Sequence, residues 1–326
     1  MIKSPFPKYL LSLLLLFYLN SALAAPIVSD SGYQVGLFLT NAGAITGMKF
    51  NDNGELYLAD YSGGRILRVA SPQSPGLNSF DVYADGISFP NDLAFNFGGR
   101  MFVASSTSDN SDVLEVYSDG STSIFSSGFS YPTSIASFGS DLFVANSGNG
   151  QMVKVNSSGV SSPFLSGFSQ PNGPFGISVS PSGDLYFTDH QTGNIYSANQ
   201  SGDLTLLNTI PSSLGSTFTA YATNGDLYVS DVLSGVIYKL DGVSNDLSVF
   251  ASGFAGKSSP PFIGPAGLAF DSVGNLFVGD GSSVWKISTV PLPGSFLFLC
   301  SGLFGLFGTR LLTSISRGTL RAANGA

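Results

Sequence analysis

The stretch "GDLYFTDHQTGNIY", Gly183 to Tyr196, decides the fold, because its first seven residues are one of six versions of a single phrase. The others are "GELYLAD" ending at Asp60, "GRMFVAS" at Ser105, "SDLFVAN" at Asn146, "GDLYVSD" at Asp231 and "GNLFVGD" at Asp280. Their third residues, Leu56, Met101, Leu142, Leu185, Leu227 and Leu276, lie 45, 41, 43, 42 and 49 positions apart. A period in that range identifies a repeat protein.

One repeat shows what each unit contains. Around the quoted stretch, apolar runs at Gly176 to Val179, Leu185 to Thr188, Asn194 to Ala198 and Leu204 to Leu207 are separated by the turns "SPSGD", "DHQTG" and "NQSGD". No segment has helical periodicity long enough to compete, so each unit is four short antiparallel strands, the blade of a β-propeller. Six phrases predict an all-β, six-bladed ring. The sixth unit runs from Val284-Trp285-Lys286-Ile287 straight into Val290 and has no outer strand of its own. The missing strand is expected at Leu37 to Gly43, "LFLTNAG", which looks like the outer-strand endings "PFLSGF", "SIFSSGF" and "VFASGF". The N-terminal strand then closes the ring and leaves no exposed inner sheet edge.

Propeller geometry gathers the lead-in segments "FPND", "YPTS", "QPNGPFG" and "IGPAG" around one mouth of the central channel, and the second strands return Asp60, Ser105, Asn146, Asp189, Asp231 and Asp280 to it. Asp or Asn at that position can bond the backbone of the following turn, which is a structural task. His190, the only histidine of the chain, departs from the pattern, since the equivalent residues are Tyr61, Ser106, Ser147, Val232 and Gly281. Together with Asp189 it is the candidate for chemistry as base or metal ligand. Asn91, Asp92, Asn172 and Asp231 are the candidates for ligand binding at the same mouth, and Asn172 and Asp189 for a metal.

The repeat phrase resembles that of the NHL and SMP-30/gluconolactonase-like six-bladed propellers over nearly all of residues 31 to 288. The resemblance implies a divalent ion such as calcium, held in lactonases of the group by an early glutamate and by Asn and Asp of later lead-in segments near a "PND" element. Pro90-Asn91-Asp92 and Pro171-Asn172-Gly173 match it. The first lead-in, "NAGAITGMKF", has no acid and the fifth, "GSTFTAYA", has neither Asp nor Asn. Hard cations need carboxylate charge to replace their water, so this donor set is poor. One histidine cannot build the multi-histidine centres of propeller lyases.

All 21 acidic residues lie between Asp30 and Asp280, and 8 of the 13 basic ones lie in residues 25–289, so that body carries 8 − 21 = −13. That field disfavours nucleic acid and other polyanions. The single cysteine, Cys300, lies outside the body, which therefore has no disulfide framework.

Both ends of the chain resemble transport signals. Residues 1–24 read as a secretory signal peptide for signal peptidase, with Lys3 and Lys8, an apolar run from Tyr9 to Leu19 and Ala22-Leu23-Ala24 before the cut. The propeller is then assigned to residues 25–289. Residues 290–326 begin Val290-Pro291-Leu292-Pro293, continue with an uncharged run from Gly294 to Thr309 and reach Arg310, which predicts a C-terminal hydrophobic, transmembrane helix. The order "VPLP", apolar segment, arginine resembles PEP-CTERM sorting signals, although the chain continues past Arg317 and Arg321 to Ala326, further than such signals usually do. The resemblance implies an exosortase-type membrane protease as partner and delivery to the envelope or surface of a Gram-negative cell that makes exopolysaccharide. The expected role is a binding or structural module there, meeting exopolysaccharide or surface proteins. The alternative is a calcium-dependent lactonase-like hydrolase using Asn91, Asp92, Asn172 and Asp189. Intact-mass measurement on protein recovered from the native surface is expected to give a species lacking Phe296 to Arg310; a main form that retains them would show a permanent anchor instead.

Overall fold

The computed structural model describes residues 25–70, 72, 79–106, 111–211, 215–255 and 264–290. The chain separates into two compact units, Met1–Ser288 and Thr289–Ala326, and only Thr289 and Val290 of the second are among the described residues. The signal segment 1–24, the sorting residues from Pro291 to Pro293, Arg310 and the expected C-terminal helix lie outside them. Among the described residues no helix is long and apolar enough to cross a membrane.

Six antiparallel sheets form the ring, each numbered here by its repeat. Blade one is Ile45–Phe50, Leu56–Asp60, Arg65–Val69 and Asp81–Ala84, from the axis outward; blade two starts at Pro90–Phe95, blade three at Pro132–Phe138, blade four at Ile177–Val179, blade five at Ser216–Tyr221 and blade six at Pro265–Phe270. The expected closure is present, with the strand beginning earlier than Leu37 and ending before Gly43: Tyr33–Leu39 is the outer strand of blade six, beside the strand Ser283–Thr289 that carries Trp285. Phe38 meets Phe277 edge to face at 4.8 Å. A further strand, Ile27–Val28, adds to the outer edge of blade five through Ile27↔Ser252 and Val28↔Ala251. Two residues carry no readable period, so sequence alone does not show it.

The turns follow from side chains that imitate backbone. In "NDNGE", Asn51 Oδ1 accepts from the Asn53 and Glu55 amides while Gly54 takes a φ of 79°, which a residue with a Cβ rarely adopts. The same acceptor pattern recurs at Asn96, Asn156, Asn199 and Asp271.

The second strand of each blade is buried along its whole length in blades one, two, five and six. A blade packs one face on its predecessor and the other on its successor, so these strands are apolar on both faces rather than alternating. Among the described residues each of the six blade-to-blade boundaries has its own apolar cluster. Phe102, Phe143, Phe187 and Phe277 are fully buried in them. A seventh cluster, Phe175, Phe218 and Ala266, lies toward the axis.

Because Phe38 fills the boundary that closes the ring, Phe38→Ala should destabilise by about 3–5 kcal/mol, the usual range for a buried Phe truncated to Ala. Ile27, 69% exposed, should tolerate the same change within about 0.5 kcal/mol. Urea unfolding of the two variants measures the difference.

Candidate functional site

The innermost strands begin at one mouth of the channel, here the near mouth, and end at the other, the far mouth. At the near mouth each innermost strand starts irregularly. In blade one the pairing passes from Ile45↔Asp60 to Gly47↔Ala59, so Thr46 is an extra residue, and blades two and three slip in the same way at Asn91 and Thr133. These side chains reach the next blade. Thr46 Oγ1 donates to Pro90 O at 3.1 Å, Asn91 Nδ2 to Pro132 O at 2.8 Å and Thr133 Oγ1 to Phe175 O at 3.3 Å. In blades four and five the hydroxyl comes from the second strand instead, Thr188 Oγ1 to Thr217 O at 3.2 Å and Ser230 Oγ to Ala266 O at 3.0 Å. Blade six meets blade one through the Ile45 amide and Gly281 O at 3.1 Å.

The six residues that end the second strands are all buried, from Asp60 at 1% to Asp280 at 8% exposed. Three acids hold the following turn as the sequence suggests: Asp60 Oδ1 accepts from the Gly63 amide, Asp189 Oδ1 from Gln191 and Thr192, and Asp231 Oδ1 from Leu233 and Ser234. Four of the six have a further task that the repeat alignment does not reveal, because the partner lies on a variable connection. Asp60 accepts from Ala44, Asn146 from Ser130, Asp189 from Ser169 and Asp280 from Ala255, each on the segment that arrives from the preceding blade. Asp60 also takes Arg65 Nε at 2.8 Å.

Asn91 and Asp92 are buried in the wall of the ring. Asn91 Nδ2 also donates to Ser106 Oγ, and Asp92 accepts from the Leu93 and Ile135 amides and from Ser134 Oγ at 2.6 Å. Burial raises the pKa of Asp92 above the ordinary carboxyl value of 3.8, against the opposing pull of Lys49 and these donors. The carboxyl of Asp280 is raised for the same reason. Asn172 sits half-buried with φ at 77° between two cis prolines, Pro171 and Pro174, and its amide donates to Ser147 O.

His190 is not the solvated turn residue that its position in "DHQTG" suggests. It is half-buried, its ring stacked on Phe175 at 5.0 Å and 29°, and Phe175 meets Phe218 edge to face at 6.0 Å. The reason lies in two equivalent columns of the repeat. Blade two has Asn91 bonded to Ser106 and blade three Thr133 bonded to Ser147, whereas blade four has Phe175 stacked on His190. In blades two and three a polar residue of the first column bonds a serine of the second, and in blade four a ring meets a ring. Comparing both columns would have exposed this; comparing one made His190 look isolated.

Among the described residues no three His, Cys, Asp or Glu side chains converge on a point where a metal ion could sit. Each acid that ends a second strand accepts at least one backbone amide, although Asp280 Oδ1 is buried without a partner, and Asn91 has its amide nitrogen committed across a blade boundary.

No family model matches the chain, and no curated protein sequence does. Solved structures do. A gluconolactonase of Xanthomonas campestris is 14% identical with a TM-score of 0.62, covering 82% of this chain and 95% of its own. A catalytically inactive virginiamycin B lyase of Staphylococcus aureus, crystallised with quinupristin, is 18% identical with a TM-score of 0.58, covering 83% and 97%. A chain of a nidogen/laminin complex is 17% identical with a TM-score of 0.56, covering 64% and 80%. At these identities the likeness is one of fold.

Two outcomes are expected from these contacts. His190→Ala should lower stability by about 0.5–1.5 kcal/mol through the lost ring contact, and Asp60→Ala by about 1–3 kcal/mol for each buried amide left unpaired, both read by urea unfolding. For Asp92 the folded state holds the proton more tightly than the unfolded one. Its contribution is therefore full below the ordinary carboxyl pKa of 3.8 and is lost as pH rises through the raised folded value. Thermal midpoints of wild type and Asp92→Asn, compared from acidic to neutral pH, should converge or cross in the variant's favour as pH increases.

Proposed function

We propose that the chain is an exported, surface-associated propeller that acts as a binding or structural module in an exopolysaccharide-rich matrix, its tail handled by an exosortase-type protease after signal peptidase has removed residues 1–24. One observation carries the non-enzymatic part of this reading. Of the near-mouth side chains proposed as site residues, Asn91, Asp92, Asp189 and Asp231 are buried and bonded to the fold's own backbone or hydroxyls, and Asn172 and His190 are half-buried. Their geometry is that of a clasp between blades. "VPLP" and the apolar tail support the surface assignment.

The lactonase-like alternative requires a calcium site, and the residues present do not fit one. Asp189 has one oxygen on Ser169 and the other on Gln191 and Thr192, and opening it to a cation would release three backbone amides. The aromatic stack of His190, Phe175 and Phe218 occupies the blade-four side of the same mouth. Among similar folds, one structure is named as a gluconolactonase and another belongs to a nidogen/laminin complex, so the fold accommodates both classes of role.

Calcium decides between them. An ion that binds only the folded protein raises its thermal midpoint in proportion to the logarithm of its excess over Kd. The midpoint of the full-length protein is expected to be the same in millimolar calcium and in chelator, with no lactone hydrolysed in either. A calcium-dependent rise accompanied by lactone turnover would establish the alternative.

A further inference from the structure

The far mouth has a different character. A cavity of about 610 Å³ opens there at the axis, lined by the last residues of all six innermost strands, among them Lys49, Phe95, Ser137, Ser178, Tyr221 and Phe270. A second cavity of about 640 Å³, between blades one and two, shares Asp52, Phe95 and Phe97 with it. A third of about 280 Å³, over blades three to five, shares Ser137, Phe138, Val179 and Tyr221. Three cavities with common walls form one trough across the face of the ring.

Two phenyl rings stand where these cavities join. Phe97 is 93% exposed and Phe138 37%, and each lines both of the cavities it separates. A lone exposed ring needs no explanation, but two rings set at the junctions of adjoining cavities make an apolar strip of the kind that binds ligands. The trough also holds a buried hydroxyl with nothing to bond and a cation that makes no close ion pair. Ser178 is 6% exposed and its Oγ is buried without a partner. Lys49 is the one cation among the described residues without an ion pair or ring contact, the others being held by Asp60, Asp81, Glu115, Asp141, Asp226 or Phe277. An unsatisfied buried hydroxyl is costly, and it points to a partner that supplies hydrogen-bonding groups.

Charge narrows the class of ligand. Lys49 and Arg100 are outnumbered in the trough by Asp52, Glu55 and Glu115, and the body around it carries a large negative excess. An anionic polymer would be repelled. Flat rings at intervals, polar groups between them and a path longer than a small molecule suit a chain of sugar rings, whose C–H faces meet the negative faces of aromatic rings. We propose that the trough binds an uncharged polysaccharide, with sugars stacked on Phe97 and Phe138 and hydroxyls bonded to Ser178 Oγ and the Lys49 ammonium. This names the ligand and its place for the matrix-associated role, and it rests on that reading.

Affinity electrophoresis tests it with full-length protein, in a detergent without a sugar headgroup, through gels containing dextran, glucomannan or alginate. At least one neutral polymer should retard the protein and alginate should not. Phe97→Ala should weaken retardation about tenfold, the equivalent of one well-placed ring contact, with Phe138→Ala and Ser178→Ala acting in the same direction. Leu206→Ala, 54% exposed on the outer strand of blade four, should leave it unchanged. Phe97 is too exposed for its truncation to unfold the ring, so a loss is a loss of binding. The proposal is overturned by retardation in alginate alone, by retardation indifferent to Phe97→Ala and Phe138→Ala, by no retardation in either neutral gel, or by a self-association that Phe97→Ala abolishes, which would make the trough a contact between copies. Calcium-dependent lactone turnover would instead sink the functional reading, and the electrophoresis does not report on it.

Discussion

Every blade must keep the second strand dry on both faces, and this requirement shapes the molecule. A sheet with two apolar faces cannot end in water, so each blade needs a neighbour on either side and the series has to return to its beginning. The rings of Phe102, Phe143, Phe187 and Phe277 show how the demand is met, since each is fully buried between one blade and the next. Tyr33–Leu39 supplies what the sixth unit lacks.

Packing of this kind brings six backbones close together near the axis, and the polar groups there must be satisfied internally. The hydroxyls and amides of Thr46, Asn91, Thr133, Thr188 and Ser230 catch carbonyls of the next blade, while Asp60, Asn146, Asp189 and Asp280 catch amides of the segments arriving from the previous one. Small residues allow the approach: a Cβ on Gly176 would fall 2.2 Å from Thr217 O. Residues that resemble a functional ring in the sequence are therefore the polar fastening of the apolar boundaries.

The architecture was legible because it is repeated. Six copies of one phrase specify the number of blades, and the absence of a sixth outer strand together with "LFLTNAG" specifies how the ring closes. What could not be read is what depends on pairs of positions in different repeats. The stack of His190 on Phe175 joins two columns of the alignment, and the acids' second partners lie on connections of unequal length and composition. The far-mouth trough was invisible for a related reason. Phe97 stands in the turn "NFGGR" and Phe138 ends its strand at "SFGSD", where a single apolar residue beside glycine carries no period, and only the folded ring sets them over adjoining cavities.

The strand that completes blade six is nearly the first to be synthesised and its partner nearly the last, with Gln34 Nε2 meeting Ser288 Oγ across the junction. Hairpins within a blade can form as soon as their residues exist, but this pairing spans almost the whole chain and is slow for that reason. Until it forms, blades one and six each present a greasy flank to solvent, which is the state most prone to clump with other unfinished molecules. Ring closure is thus a late kinetic checkpoint: an early-made strand waits, unpaired, and its arrival converts a sticky arc into a finished particle.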